Sequence, residues 1–189
     1  LRPVEGPREG VTSAAREYVA EREAFYASHN WSPYFIEGMK SFAYEAVREV
    51  PRAIDHVVVP VGNGSLVVGP AKGFAELVRE GPVLRMPRFH AIQSSSCMPV
   101  VAEWQGQLWT SDLLRPTVAG GIAVSTPPRG AQTVEILQST GGTAVAVEEE
   151  SIVRWQSAMA RDEGLFMEPT SAAAFAGLEF LVSHGTVRP

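Results

Sequence analysis

The sequence predicts an α/β fold, a three-layer arrangement in which helices cover both faces of a parallel sheet. Three observations carry that expectation. Short β-branched runs recur without a polar face, at 55–61 (Asp-His-Val-Val-Val-Pro-Val) and at 143–147. Longer stretches with apolar residues at helical spacing separate them. The first run passes straight into Gly62-Asn63-Gly64-Ser65 and then into a helical stretch, the layout of a β-α unit.

Taken in chain order, residues 12–27 place small and apolar residues at helical spacing, with Thr12 or Ser13 as N-cap. Residues 30–34 contain Pro33 and read as a loop. A 3.6-residue period resumes through Ile36, Met39, Phe42, Ala43, Ala46 and Val47, predicting one helix over 35–50 that Pro51 ends. The strand at 55–61 and a helix over 66–80 follow. A second strand is expected at 88–93 and a third at 143–147, with helices over 99–104 and 130–140 between them. The acids Glu148, Glu149 and Glu150 open a helix over 148–161, where negative charge suits the helix N-terminus. A last helix is expected over 171–182. Residues 105–128 show no period, carry Gly120-Gly121 and Pro127-Pro128, and read as a flap.

Composition narrows the function classes. The chain has 189 residues, 45% apolar and 20% charged, as in ordinary water-soluble domains. No apolar run approaches the roughly 20 residues that span a bilayer, so no membrane partner is expected and a cytoplasmic location is. The formal charge is −5 and the 14 arginines are scattered, which gives nucleic-acid binding no support. The single cysteine, Cys97, excludes an internal disulfide or a thiolate metal cluster. Among Ser94, Ser95, Ser96 and Met98 it reads as a half-buried thiol, with no histidine base placed near it. His29, His56, His90 and His184 lack any paired-ligand spacing, and each reads as surface or satisfied core. Trp104, Trp109, Trp155, Met159 and Phe166 read as core or interface packing.

The glycine turn carries the most chemistry. Glycines just past a buried strand let consecutive backbone N–H groups converge, and the following helix adds its positive end, so such a turn can hold a phosphate. Gly62 and Gly64 equally serve a plain strand-to-helix connection. The spacing is neither that of the phosphate loop ending in Gly-Lys-Ser/Thr nor that of the dinucleotide fingerprint, and it leaves the two readings open.

Three ordered segments add a resemblance. Asn30-Trp31-Ser32-Pro33-Tyr34-Phe35-Ile36-Glu37-Gly38-Met39-Lys40-Ser41 resembles the "N-P-(aromatic)-x-x-E-G-x-K-T" segment of threonine synthases and their fold-type II relatives, enzymes dependent on pyridoxal 5'-phosphate. The stretches VVVPVGNGSLVVGPAKGF and GLFMEPTSAAAFAGLEFL are similar to that family's phosphate-binding glycine turn and its late "E-P-(A/T)-S-A-A" helix start. TVAGGIAVSTP and GGTAVAVEEESIVRW match further stretches in the expected order.

The resemblance implies that residues 1–50 end a smaller N-terminal domain and its connecting helices. Residues 51–189 would be the large cofactor-binding domain, cut short at both ends. It implies that Gly62, Asn63, Gly64, Ser65 and Leu66 bind the cofactor phosphate and that Thr170 lies near the cofactor ring, where a helix N-cap at Thr170 or Ser171 is the competing expectation. Ser65 and Leu66 depart from the family's commonest loop, which has glycine and asparagine there. Glu168 is either a buried carboxylate or a solvated loop end. Gln93 stands where some relatives place a cation-binding glutamate, so no metal site is expected. No catalytic residue is assigned. Of the two lysines, Lys40 matches the motif and Lys72 reads as solvated, and neither matches the lysine that carries the cofactor. The implied activity is elimination or replacement on a small amino-acid substrate, in threonine synthase the conversion of O-phosphohomoserine to threonine, by a homodimer. The competing reading is a stand-alone, non-catalytic module that binds a phosphorylated ligand or a partner chain.

Overall fold

The computed structural model describes residues 3–5 and 8–188. The chain divides into two compact units, Leu1–Ser32 and Pro33–Pro189.

The first unit holds one helix, α1 (Arg8–Glu21). Thr12 and Ser13 lie inside it and do not cap it. Its end comes earlier than the period suggests because Glu23 adopts φ 50° and the Ala24 N–H reaches back to the Val19 carbonyl at 3.1 Å. That is the bonding of a Schellman stop without the usual glycine, which is why it left no mark in the sequence.

The second unit opens with α2 (Pro33–Met39) and α3 (Ser41–Glu49) in place of one long helix. Pro33 is the first helical residue, where a missing N–H costs nothing, and so begins an element that its presence argued against. The break falls at Lys40, whose N–H bonds the Glu37 carbonyl and whose own carbonyl takes the Ala43 N–H. Three-residue spacing of this kind tightens the turn. The cause of the break lies across the interface on α4 (Ser65–Glu80). An added Cβ on Gly73 would fall 2.7 Å from the Lys40 oxygen, and one on Gly69 would fall 2.3 Å from the Met39 Cβ. The corner between α2 and α3 therefore sits in a notch that only glycines leave open.

Three strands, β1 (His56–Pro60), β2 (Arg88–Ser94) and β3 (Thr143–Val147), form a parallel sheet in the order β1-β2-β3. Val58 pairs with His90 and Ile92 with Val145. Parallel neighbours need crossovers, here α4 between β1 and β2, and α5 (Pro99–Trp104) with α6 (Gly130–Thr140) between β2 and β3. The chain ends with α7 (Glu149–Asp162) and α8 (Pro169–Ser183).

Strand alternation sends side chains into two cores. Val57, Val59, Val61, Phe89, Ala91 and Ala144 pack with α3, α4, α5 and α6, where Phe74 and Phe89 meet edge to face at 6.1 Å. Ile92, Val145 and Val147 face α7 and α8. Phe74, Phe89, Ile92, Leu137 and Ile152 have no exposed surface. Each such side chain contributes roughly 1.5–3 kcal/mol by leaving water. Both faces of the sheet are covered, which is the three-layer fold that unbroken apolar strands require.

Candidate active site

Parallel α/β sheets present their chemistry beyond the carboxyl ends of the strands. There β1 runs into Gly62, and Gly64 adopts φ 91° as the N-cap of α4. The Asn63 Oδ1 accepts the Ser65 N–H at 2.8 Å and braces the turn. Val67 and Val68 both donate to the Gly64 carbonyl. The Leu66 N–H precedes them among the orphan donors of the first turn. Leu66 turns its side chain outward, 37% exposed. The Ser65 hydroxyl is buried and has no protein partner.

The turn is walled by later parts of the chain. An added Cβ on Gly62 would lie 3.0 Å from the Gly121 oxygen, and one on Gly64 would lie 2.7 Å from the Thr133 Oγ1 and 2.9 Å from the Arg129 Cβ. Both glycines are therefore needed for close approach, and Gly64 also for its backbone angle.

Thr170 does not cap α8, since Glu168 occupies that position with Pro169 next. Thr170 instead accepts the Gly121 N–H at 3.1 Å and fixes the wall behind Gly62. Gly62 through Leu66 thus form one turn, and Thr170 joins it through Gly121. Glu168 is exposed, which settles it as a solvated end of the loop.

The segment expected to be a flap is tied along 115–122. The Arg115 N–H donates to the Ser96 carbonyl and the Val118 N–H to Glu149 at 2.7 Å. Glu149 also accepts from the Ser94 hydroxyl. Burial alone would raise the Glu149 pKa, but these bonds, with others from Thr117 and Ser96, outweigh it and hold the carboxyl below its usual range. The sequence showed Glu149 only as a helix-opening acid, and nothing local signalled that it binds residues far along the chain.

Gln93 is fully buried. Its Nε2 donates to the Val61 carbonyl at 3.0 Å while its Oε1 accepts from Val100 at 2.8 Å and Val101 at 3.1 Å. One side chain thus joins the end of β1 to the start of α5. Among the described residues no group of three or more His, Cys, Asp or Glu gathers as metal ligands. Cys97 is fully buried, not half-buried.

Two histidines left little trace in the sequence. The His56 Nδ1 lies 2.9 Å from the His90 Nε2, the rings stack, and the buried His90 Nδ1 has no partner, so His90 is not a satisfied core residue. Burial, followed by the neighbouring His56 and Arg88 charges, pushes the His90 pKa down to about 4.

Lys72 is exposed, as expected, whereas the Lys40 side chain is only 16% exposed. Lys40 bonds Glu37 at 2.7 Å and Glu76 at 2.9 Å, and Lys72 pairs with Glu37. The hydrogen bonds from Lys40 to Glu37 and Glu76 raise its pKa well above the usual lysine range. Lys40 packs at Gly73, nine residues along α4 from Gly64, about 13 Å at 1.5 Å per residue.

A model of the family described as "Pyridoxal-phosphate dependent enzyme" matches residues 1–189. The chain belongs to this family. The family's cofactor is pyridoxal 5'-phosphate. The chain is similar to the threonine synthase of Methanocaldococcus jannaschii, with 31% identity over 174 residues, covering 89% of this chain and 42% of that protein. Similarity to the threonine synthase of Mycobacterium tuberculosis is 29% over 185 residues, covering 97% and 49%. The chain thus spans about half the length of these relatives or less. Among solved structures, the processed form of threonine deaminase isoform 2 from Solanum lycopersicum superposes with a TM-score of 0.77 at 19% identity, covering 99% of this chain and 49% of that one. Maize serine racemase gives 0.74 at 21% identity, covering 95% and 54%. These likenesses establish the fold.

The residues at the turn fit the cofactor's phosphate. They offer the start of a helix with no acid in its first turn, glycines that leave no room for a Cβ, and a buried hydroxyl without a partner.

Proposed function

We propose that this chain supplies the cofactor-phosphate cradle of a pyridoxal-phosphate-dependent lyase or synthase, most like threonine synthase, which turns O-phosphohomoserine and water into threonine and phosphate. The observation that carries the reading is the buried, unpartnered Ser65 hydroxyl in a glycine turn at the end of a parallel strand. The relatives named threonine synthase support the substrate class.

In this reading Gly62, Asn63, Gly64 and Leu66 hold the phosphate through N–H groups and Ser65, whose own N–H goes to the Asn63 Oδ1, through its hydroxyl, while Thr170 positions Gly121 behind them. When bound, the cofactor supplies an electron sink for the carbanion left once the substrate loses its α-proton. The protein would act as a cytoplasmic homodimer on a small-molecule amino acid. That expectation rests on the family resemblance alone, and sedimentation tests the dimer.

Lys40 and Lys72 are both held in ion pairs on or against α4, which supports the expectation that neither is the lysine that carries the cofactor. The same observation favours a second reading, in which these residues bind a phosphorylated ligand or a partner chain without turnover.

The test is to supply the purified protein with pyridoxal phosphate and O-phosphohomoserine and to measure phosphate and threonine. Equal release of both supports the first reading. Ammonia and a 2-oxo acid formed from threonine or serine instead would make the enzyme a deaminase. Saturable cofactor binding with no product from any of these substrates favours the second reading.

A further inference from the structure

The segment behind the glycine turn is pinned at two points. An added Cβ on Gly62 would meet the Gly121 oxygen at 3.0 Å, Val124 at 3.1 Å and Ile122 at 3.2 Å, so residues 121–124 press directly on the turn. Ala119 and Ile122 are buried in the core shared with α7 and α8. Apolar burial is non-directional, so it holds the segment down without fixing its position along the chain. Directional bonds do that. The Gly121 N–H donates to the Thr170 hydroxyl at 3.1 Å, and three residues earlier the Val118 N–H donates to the Glu149 carboxylate at 2.7 Å. Thr117 adds a side-chain bond to Glu149, and its hydroxyl accepts the Ala119 N–H at 3.0 Å.

Glu149 also reaches the other way. Val118 takes its Oε2, while its Oε1 accepts the Ser94 hydroxyl at the end of β2, and Ser96 bonds it as well. One carboxylate thus joins β2, the first turn of α7 and the wall of the glycine turn, at a helix end that favours negative charge. Both of its oxygens accept, which an amide cannot reproduce, because its nitrogen would face a donor. Glu148, one residue earlier, is exposed, and its carboxylate accepts the Ser95 hydroxyl at 2.8 Å.

We infer that Glu149 is a positioning residue for the cofactor phosphate: its carboxylate fixes residues 117–121 in the register that closes the back of the glycine turn. The inference rests on the reading of that turn as the cofactor-phosphate cradle. Glu149 acts through the wall and not through space, and the two routes differ in sign. A carboxylate repels a nearby anion, so losing its charge alone would tighten phosphate binding. Losing the register of the wall weakens it.

The experiment is isothermal titration of the purified protein, Glu149→Gln, Glu148→Gln, Thr170→Val and the double variant of Glu149→Gln with Thr170→Val, using pyridoxal phosphate and pyridoxal. Glu149→Gln is expected to weaken pyridoxal phosphate roughly tenfold or more and to leave pyridoxal unchanged. Glu148→Gln, which removes the same charge next door, should bind pyridoxal phosphate at least as tightly as the parent. Because Glu149 and Thr170 hold one segment, the double variant should lose less than the product of the two single losses. If Glu149 served only the fold, Glu149→Gln would melt at a lower temperature and keep its preference for pyridoxal phosphate over pyridoxal, and the inference would be overturned. Losses that simply multiply would overturn it too. If the unaltered protein does not prefer pyridoxal phosphate to pyridoxal, the cradle reading falls and this inference with it; if it does and Glu149→Gln matches it, this inference alone falls. Should Glu149→Gln fail to fold, Thr117→Val, which removes a bond on the wall side of Glu149, is compared with Ser94→Ala, which removes one on the strand side. Only Thr117→Val should weaken pyridoxal phosphate, and equal effects would count against the inference.

Discussion

The Thr170 hydroxyl accepts the Gly121 N–H across a gap so narrow that a Cβ on Gly121 would lie 2.7 Å from the same oxygen. Replacing Thr170 with valine keeps the shape and removes the acceptor, stranding a partly buried N–H at a cost of about 1–2 kcal/mol. Urea unfolding should show this loss, and the affinity for pyridoxal phosphate should fall with it because Gly121 backs Gly62. Full stability in Thr170→Val would show that the bond contributes nothing.

Gly64 and Gly81 provide a matched pair. Both have positive φ, 91° and 95°, yet an added Cβ meets Thr133 and Arg129 at the first and open space at the second. Gly81→Ala should cost about 1 kcal/mol, the left-handed penalty alone. Gly64→Ala should cost at least about 2 kcal/mol more through overpacking and should abolish phosphate binding. Equal losses at the two positions would mean that the walls around Gly64 give way freely.

His90 makes stability depend on pH. Its folded pKa of about 4 lies below the ordinary 6.5, so between these values the unfolded chain binds more protons than the folded one. Stability is therefore complete above pH 6.5 and is lost as the pH falls toward 4, by up to about 3 kcal/mol. His56, also lowered by burial, acts in the same direction. Chemical denaturation of the protein and of His90→Leu at pH 7.5 and pH 5 measures the effect. The variant should lose less on acidification, and identical losses would remove His90 as the cause.

Gln93→Leu should destabilise by roughly 2–4 kcal/mol, since the Val61 carbonyl and the Val100 and Val101 N–H groups lose their shared partner in a dry interior. Gln93→Glu keeps the acceptor for the two amides but sets a charged oxygen against the Val61 carbonyl, so it should also destabilise, less so at low pH. A Gln93→Glu variant as stable as the parent at pH 7.5 would contradict this bonding.

An added Cβ on Gly177 would lie 2.3 Å from the Ile92 Cδ1, so α8 rests on the sheet at that point. Gly177→Ala should cost about 1–3 kcal/mol, and Ile92→Ala in the same protein should return part of it. Strictly additive losses in the double variant would rule out the contact.

The strands and most helices were legible because their signals are local: unbroken apolar runs for β1 and β3, and helical spacing for α5, α6 and α7. Where sequence reading went astray, the deciding contact was mostly distant. The corner at Lys40 depends on glycines in α4, whereas the stop of α1 is local but unmarked, with Glu23 taking a left-handed angle without glycine. At the site, the glycine turn was visible, but the job of Thr170 depends on Gly121, and that of Gln93 on Val61 and α5. The His56–His90 contact needs the register of two strands, which no spacing within either one discloses.

The walls of the glycine turn come from residues 121, 129 and 133, and residue 170 secures them, so the cradle closes only once a segment more than 100 residues beyond the turn is in place. Ligand and native state are then coupled by mass action. A phosphate ester that binds only the finished cradle raises apparent stability by RT ln(1 + [L]/Kd), about 2.7 kcal/mol at a hundredfold excess over Kd. Cofactor supply during synthesis would thus govern how much of this protein survives to work.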